Sequence, residues 1–169
     1  MSVDAVLRAY FAGEKSEAAL ILLAGVLALL AALWLWLAVR EPFARGLAAS
    51  LLLVAALGLG VGGTVYLRSD AQVRQLVELQ QREPERFAAE EGSRMRQVVR
   101  GFGLYRLGYA VAVVLALAFV FAIGRPTFQG LAVGLLILAA LGLTIDFYAE
   151  RRAVEYVQAL ESAGLVGQE

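Results

Sequence analysis

Four stretches of this chain carry no charged side chain: Ala18 to Val39, Gly46 to Leu67, Leu107 to Gly124 and Thr127 to Ile145. They are 22, 22, 18 and 19 residues long. At about 1.5 Å of rise per residue, each reaches across a hydrocarbon core of roughly 30 Å. Backbone polar groups left unpaired in lipid are costly, so runs of this length must be helices, and their Leu/Ala content agrees. The pattern predicts an all-α polytopic membrane protein with spans at about 18–39, 46–67, 104–124 and 127–148. The composition fits, with 60% hydrophobic and 18% charged residues, against roughly half apolar in an ordinary soluble domain.

The first run is longer than a signal-peptide core and follows Asp4, Glu14 and Glu17 rather than a short basic leader, so it is expected to stay in the mature protein. The linkers Arg40 to Arg45 and Arg125-Pro126 are short, which predicts two tight helical hairpins, with Pro42 and Pro126 in the turns or first helical positions. Twelve basic residues (Arg8, Lys15, Arg68, Arg74, Arg82, Arg86, Arg94, Arg96, Arg100, Arg106, Arg151, Arg152) fall on one side of these spans, and three (Arg40, Arg45, Arg125) on the other. By the positive-inside rule this places both termini and the central segment in the cytoplasm of a bacterial-type inner membrane.

Shifting the sequence by 84 residues lays Pro42 on Pro126, and 11 of the 20 positions from Pro42 to Val61 are then identical. The register continues outside the apolar run, with Arg68 on Arg152, Val73 on Val157 and Leu76 on Leu160. The chain therefore reads as two tandem units, 1–84 and 85–169. Each holds an amphipathic helix, two spans and a further helix. With an even number of spans per unit, the two copies share one orientation and are expected to be related by a pseudo-two-fold axis along the membrane normal.

Small residues recur at spacing four, Gly46/Ser50 and Gly58/Gly62 in the second span and Gly130/Gly134 in the fourth. In lipid, packing replaces the hydrophobic effect, and such pairs let backbones approach closely. They predict that the second and fourth spans meet at the pseudo-axis; the alternative is the general tolerance of membrane helices for Gly. Between Arg68 and Gly103 the chain turns charged, with apolar residues on helical faces and a break near Pro84. This predicts two short amphipathic helices, which with the amphipathic ends of the chain either form a cap or lie in the lipid interface.

Cysteine and histidine are both absent, which excludes disulfides, thiolate or imidazole catalysis and the common zinc and haem ligand sets. No phosphate-binding glycine loop or catalytic triad pattern is present. No cofactor is called for. The net charge of zero gives no basis for nucleic-acid binding. Glu83, Glu85, Glu90 and Glu91 are interleaved with Arg82, Arg86, Arg94 and Arg96, the pattern of a solvated helix face rather than of a metal site.

Arg106 and Asp146 are charges at the edges of the third and fourth runs, and the 84-residue shift matches them to Leu22 and Gly62. Similar depth on adjacent helices predicts an ion pair; the alternative is two side chains snorkelling independently. The expected function is non-enzymatic: interaction with membrane lipids and with a protein partner or further copies of the chain, as an accessory subunit or an immunity-type protein. Two alternatives are a small homo-oligomeric channel or exporter and a lipid-modifying enzyme using Glu14, Glu17, Asp146 and Glu150.

Overall fold

The structure, a computed structural model, describes residues 3–163 and is helical except for very short turns. Helix α1 (Val3–Trp34) ends in a π-helical turn, Leu35–Val39; α2 is Pro42–Arg82; α3 (Pro84–Ala118) ends in a second π turn, Phe119–Ile123; α4 is Pro126–Ser162. All four helices are long and apolar enough to cross a membrane.

The three prolines of the chain each open a helix, α2, α3 and α4. At that position the missing N–H costs nothing and the fixed φ suits the first turn. Proline also disfavours helical backbone in the residue before it, and Glu41 and Arg125 are accordingly extended. Each π turn closes on a left-handed residue, Arg40 at φ 57° and Gly124 at φ 65°. The Arg40 and Gly124 N–H groups donate to Leu35 and Phe119 carbonyls at 3.3 and 3.2 Å. Arg40, which unlike glycine is strained there, also donates from Nε to the Leu37 carbonyl at 2.9 Å.

The charged segments are not the separate short helices that the sequence predicted. They continue the apolar helices: α1 runs from Val3 through the first apolar run, and α2 runs unbroken to Arg82. Nothing between Val3 and Trp34, or between Pro42 and Arg82, removes a backbone donor, and a lone Gly13 weakens a helix without ending it. Only Pro84 interrupts the middle of the chain.

Helices α2 and α4 form the central contact, α1 packs along α2, and α3 along α4. The apolar and charged halves have different cores. In the apolar half the buried positions are mostly small, among them Ala18, Gly25, Ala28, Ala32, Ala48, Ala55, Ala132 and Ala139, while Leu20, Leu23, Leu27 and Leu30 point outward. That is the arrangement for helices whose outer solvent is lipid. In the charged half the buried cluster is large: Leu7, Tyr10, Phe11, Phe87, Met95, Phe102, Tyr156 and Leu160. Here burial of apolar area drives packing, and the helix ends form a cap rather than lying flat.

At the α2–α4 seam the backbones touch. A Cβ at Gly46 would collide with the Thr127 carbonyl, one at Gly130 with the Phe43 carbonyl, and one at Gly134 with the Ser50 side chain. Gly58 and Gly62, expected at this seam, instead face α1: a Cβ on Gly58 would lie 2.9 Å from the Gly25 Cα, and one on Gly62 3.0 Å from the Ala18 carbonyl. Twelve residues beyond Gly46, the helix has turned through three and a third repeats of 3.6 and presents another side. Gly60 has open space around it. Gly130→Ala should therefore destabilise the purified protein by about 1–3 kcal/mol through overpacking. Gly60→Ala should change stability by no more than about 1 kcal/mol, towards stabilisation. Denaturant titration in mild detergent checks the contrast.

Candidate functional site

Charged side chains turn inward where the cap meets the apolar half. Glu91, on the second turn of α3, is 1% exposed. A buried carboxylate needs partners, and Arg94 supplies a two-pronged one, with Nε to Oε2 at 2.7 Å and Nη2 to Oε1 at 2.6 Å. The Tyr156 hydroxyl of α4 donates to the same Oε1 at 2.9 Å. Burial, then the negative charge of Glu91, pushes the Tyr156 hydroxyl far above its ordinary pKa. For Arg94 burial disfavours the charge, but hydrogen bonding and attraction to Glu91 outweigh it and the pKa is raised. Tyr10 of α1 stacks on Tyr156 at 4.4 Å, and the Arg94 guanidinium lies over the Phe11 ring at 5.6 Å. Glu91 thereby ties α3 to α4, and its neighbours tie both to α1.

A second layer lies closer to the apolar runs. Arg152 Nη2 donates to Glu17 Oε2 at 2.6 Å, and its guanidinium lies over Tyr10 at 5.7 Å. Glu14 faces Arg68 at 3.8 Å. Glu14 Oε2 and Arg152 Nε are buried without a hydrogen-bond partner. Burial raises the Glu14 carboxyl above its ordinary 4.5, against the opposing pull of Arg68, Arg94 and Arg152.

The acidic set near Pro84 divides. Glu83 and Glu90 hold Arg86 at 3.3 and 2.7 Å, while Glu91 turns inside. Among the described residues, no three acidic side chains converge as they would on a metal. Glu14, Glu17 and Glu150 have basic partners, Arg68, Arg152 and Arg106.

Arg106 pairs with Glu150 rather than with Asp146: Nη1 to Oε2 is 2.7 Å, with 55% and 28% of the two side chains exposed. Glu150 lies one turn beyond Asp146 on the same helix face, towards the cap. A long guanidinium side chain extends in that direction, where water can reach it. Asp146 instead lies beside the Tyr109 hydroxyl, and its Oδ2 is buried and unpartnered. The Tyr109 ring fits against α4 because position 142 is glycine; a Cβ there would strike the ring. The α1–α2 hairpin is closed by Gly25 on Gly58, whereas the α3–α4 hairpin is wedged by Tyr109. In the apolar half of α3, only Ala116 is fully buried.

Searches against known protein families, curated proteins and solved structures find no match.

The inward turn of Glu91 was missed by sequence reasoning, which read the four glutamates as one solvated face. The signal was available: Glu91 shares a helix face with Phe87, Met95, Val98 and Phe102, not with Glu83 and Glu90. Glu14 yields a pH prediction. A carboxyl whose folded pKa is raised adds stability below its unfolded pKa and loses it as pH rises through the folded pKa. Glu14→Gln should therefore match wild type near pH 4 and become the more stable protein as pH rises towards 8. Parallel denaturation curves across that range check it; a constant difference would mean that Glu14 titrates normally.

Proposed function

We propose that this chain is a non-enzymatic multi-pass protein of a bacterial inner membrane, with both termini in the cytoplasm, that works by holding a protein or lipid partner, as an accessory subunit or an immunity-type protein does. The observation that carries this reading is the division of labour among side chains. The inward-facing ionisable groups of the cap are largely spent on one another, with Glu91 held by Arg94 and Tyr156, Glu17 by Arg152 and Glu150 by Arg106. The apolar half of α3, by contrast, buries only Ala116 against the rest of the chain and leaves Leu104, Leu107, Val111, Val114 and Phe121 uncovered. A helix presented this way offers van der Waals surface to another membrane helix or to lipid.

The proposal includes descent from two fused copies, residues 1–84 and 85–169. In support, the π turns at 35–39 and 119–123, the left-handed residues 40 and 124, and the opening prolines of α2 and α4 all differ by 84 in number. The seam contacts are reciprocal in the same shift: Gly46 on Thr127, and Gly130 on Phe43. Such reciprocity is the mark of a two-fold interface.

A second reading, a small homo-oligomeric channel or exporter, is favoured by one observation, the Tyr109–Asp146 polar pair in the third and fourth helices. Mild extraction from native membranes, with the bound protein and lipid identified by mass spectrometry, tests the first reading. It should return a stoichiometric partner or a retained lipid class, and cysteine at Ala5 should be labelled only from the cytoplasmic side. A chain that comes out alone, yet conducts ions in proteoliposomes in a way abolished by Asp146→Asn, would replace the first reading with the second.

A further inference from the structure

Beside the charge cluster, a groove of about 380 Å³ runs between α1 and α2, with Phe11, Ala12 and Val73 on its floor and Arg8, Lys15, Asp70 and Arg74 around it. It holds three cations and one carboxylate. Asp70 is engaged by the Lys15 ammonium at 2.6 Å, and among the described residues the only ion pair of Arg8 is with Asp4, one turn away, at 3.0 Å. Arg74 has no ion pair among the described residues. The groove is thus electropositive: the exposed Arg74 guanidinium is unpaired among the described residues, and the exposed Arg8 guanidinium has only a surface contact with Asp4 to exchange for a ligand.

Its depth is set by the sequence. Lys15 lies three residues before Ala18, where the first charge-free run begins, and Asp70 three residues after Leu67, where the second ends. The Lys15 ammonium also lies 5.0 Å from the centre of the Tyr66 ring, and tyrosine favours the membrane boundary. The 84-residue shift matches Arg8, Lys15, Asp70 and Arg74 to Gly92, Val99, Val154 and Gln158. The corresponding α3–α4 positions carry no charge, so the basic rim belongs to one half of the chain.

We propose that this groove binds the headgroup of an anionic phospholipid, with Arg8 and Arg74 on the phosphate and the acyl chains continuing along the α1–α2 surface. The proposal rests on the reading that the apolar helices cross a membrane, which puts the groove at headgroup level. Guanidinium groups suit this role because their donors match phosphate oxygens in pairs. A phosphate between them replaces mutual repulsion with attraction. The apolar floor suits the glycerol and first methylenes of a lipid better than it suits a free ion.

The test uses the full chain in mild detergent, titrated with phosphatidylglycerol and, in parallel, phosphatidylcholine, with bound lipid counted by native mass spectrometry. Wild type should bind phosphatidylglycerol about tenfold more tightly. R8Q/R74Q should lose that preference, and R8K/R74K should keep part of it. R82Q/R86Q, which removes the same charge outside the groove, should behave as wild type. Both guanidinium groups are exposed, and circular dichroism of each variant will verify that the fold is retained. An unchanged preference in R8Q/R74Q, or equal loss in both neutral doubles, would overturn the site. If inorganic phosphate displaces phosphatidylglycerol at equal concentration, the ligand is a soluble phosphate compound and the lipid assignment fails. Failure of the membrane reading itself looks different: the chain would then leave the membrane fraction without detergent.

Discussion

Everything in this molecule hangs on the approach of α2 and α4, where Gly46 lies on the Thr127 carbonyl and Gly130 on the Phe43 carbonyl. Lipid offers helices no hydrophobic reward for associating, so attraction must come from backbone and side-chain atoms in close contact. Glycine allows the distance; its cost is helix propensity, about 1 kcal/mol per residue, and at these positions the seam repays it. With α2 and α4 joined near the π-turn end, α1 and α3 have only one place each to pack, along the outer sides of the central pair.

The other end of the bundle obeys different physics. The same four helices are filled there by Leu7, Phe11, Phe87, Met95 and Leu160, side chains too large for backbone contact. Apolar burial holds this cap together but is indifferent to which helix meets which. The buried Glu91 carboxylate, held by Arg94 and Tyr156, would be stranded by a helix rotated out of place. The net gain from a buried ion pair is small, whereas losing one partner costs several kcal/mol. Closer to the apolar half, Glu17–Arg152 links α1 to α4. Glu14, burdened by its own burial, is where the cap concedes stability.

The four long apolar helices were legible because a charge-free run of this length favours a helix, and the hairpin turns because Pro42 and Pro126 mark helix starts. Spacing four made the small-residue stripes of Gly46, Ser50, Gly130 and Gly134 legible, and these four meet between α2 and α4. Other features depend on three-dimensional facts that spacing does not encode. Gly58 and Gly62 have the same spacing and face α1, since a repeat of four says that a small stripe exists and not which helix fills it. Arg106 has two acids one turn apart on the facing helix, and spacing does not say which one it meets; it meets Glu150. That Glu91 turns inside could be read from the apolar face it shares with Phe87, Met95 and Phe102; that its partner is Tyr156, 65 residues away, could not. α1 continues through Gly13 because one glycine weakens a helix without ending it, and there it packs against the Arg152 side chain of α4.

The central claim, that α2 and α4 meet face to face at Ser50 and Gly134, can be tested in native membranes because the chain contains no cysteine. Ser50→Cys and Gly134→Cys are introduced together with a protease site at the Glu83 turn. Mild oxidation should then join the two halves, so that they migrate together after cleavage until a reductant is added. The same pair moved to Gly60→Cys and Gly134→Cys should leave them separable. Free separation of the Ser50/Gly134 pair after oxidation, or equal cross-linking from position 60, would contradict the packing on which the whole account stands.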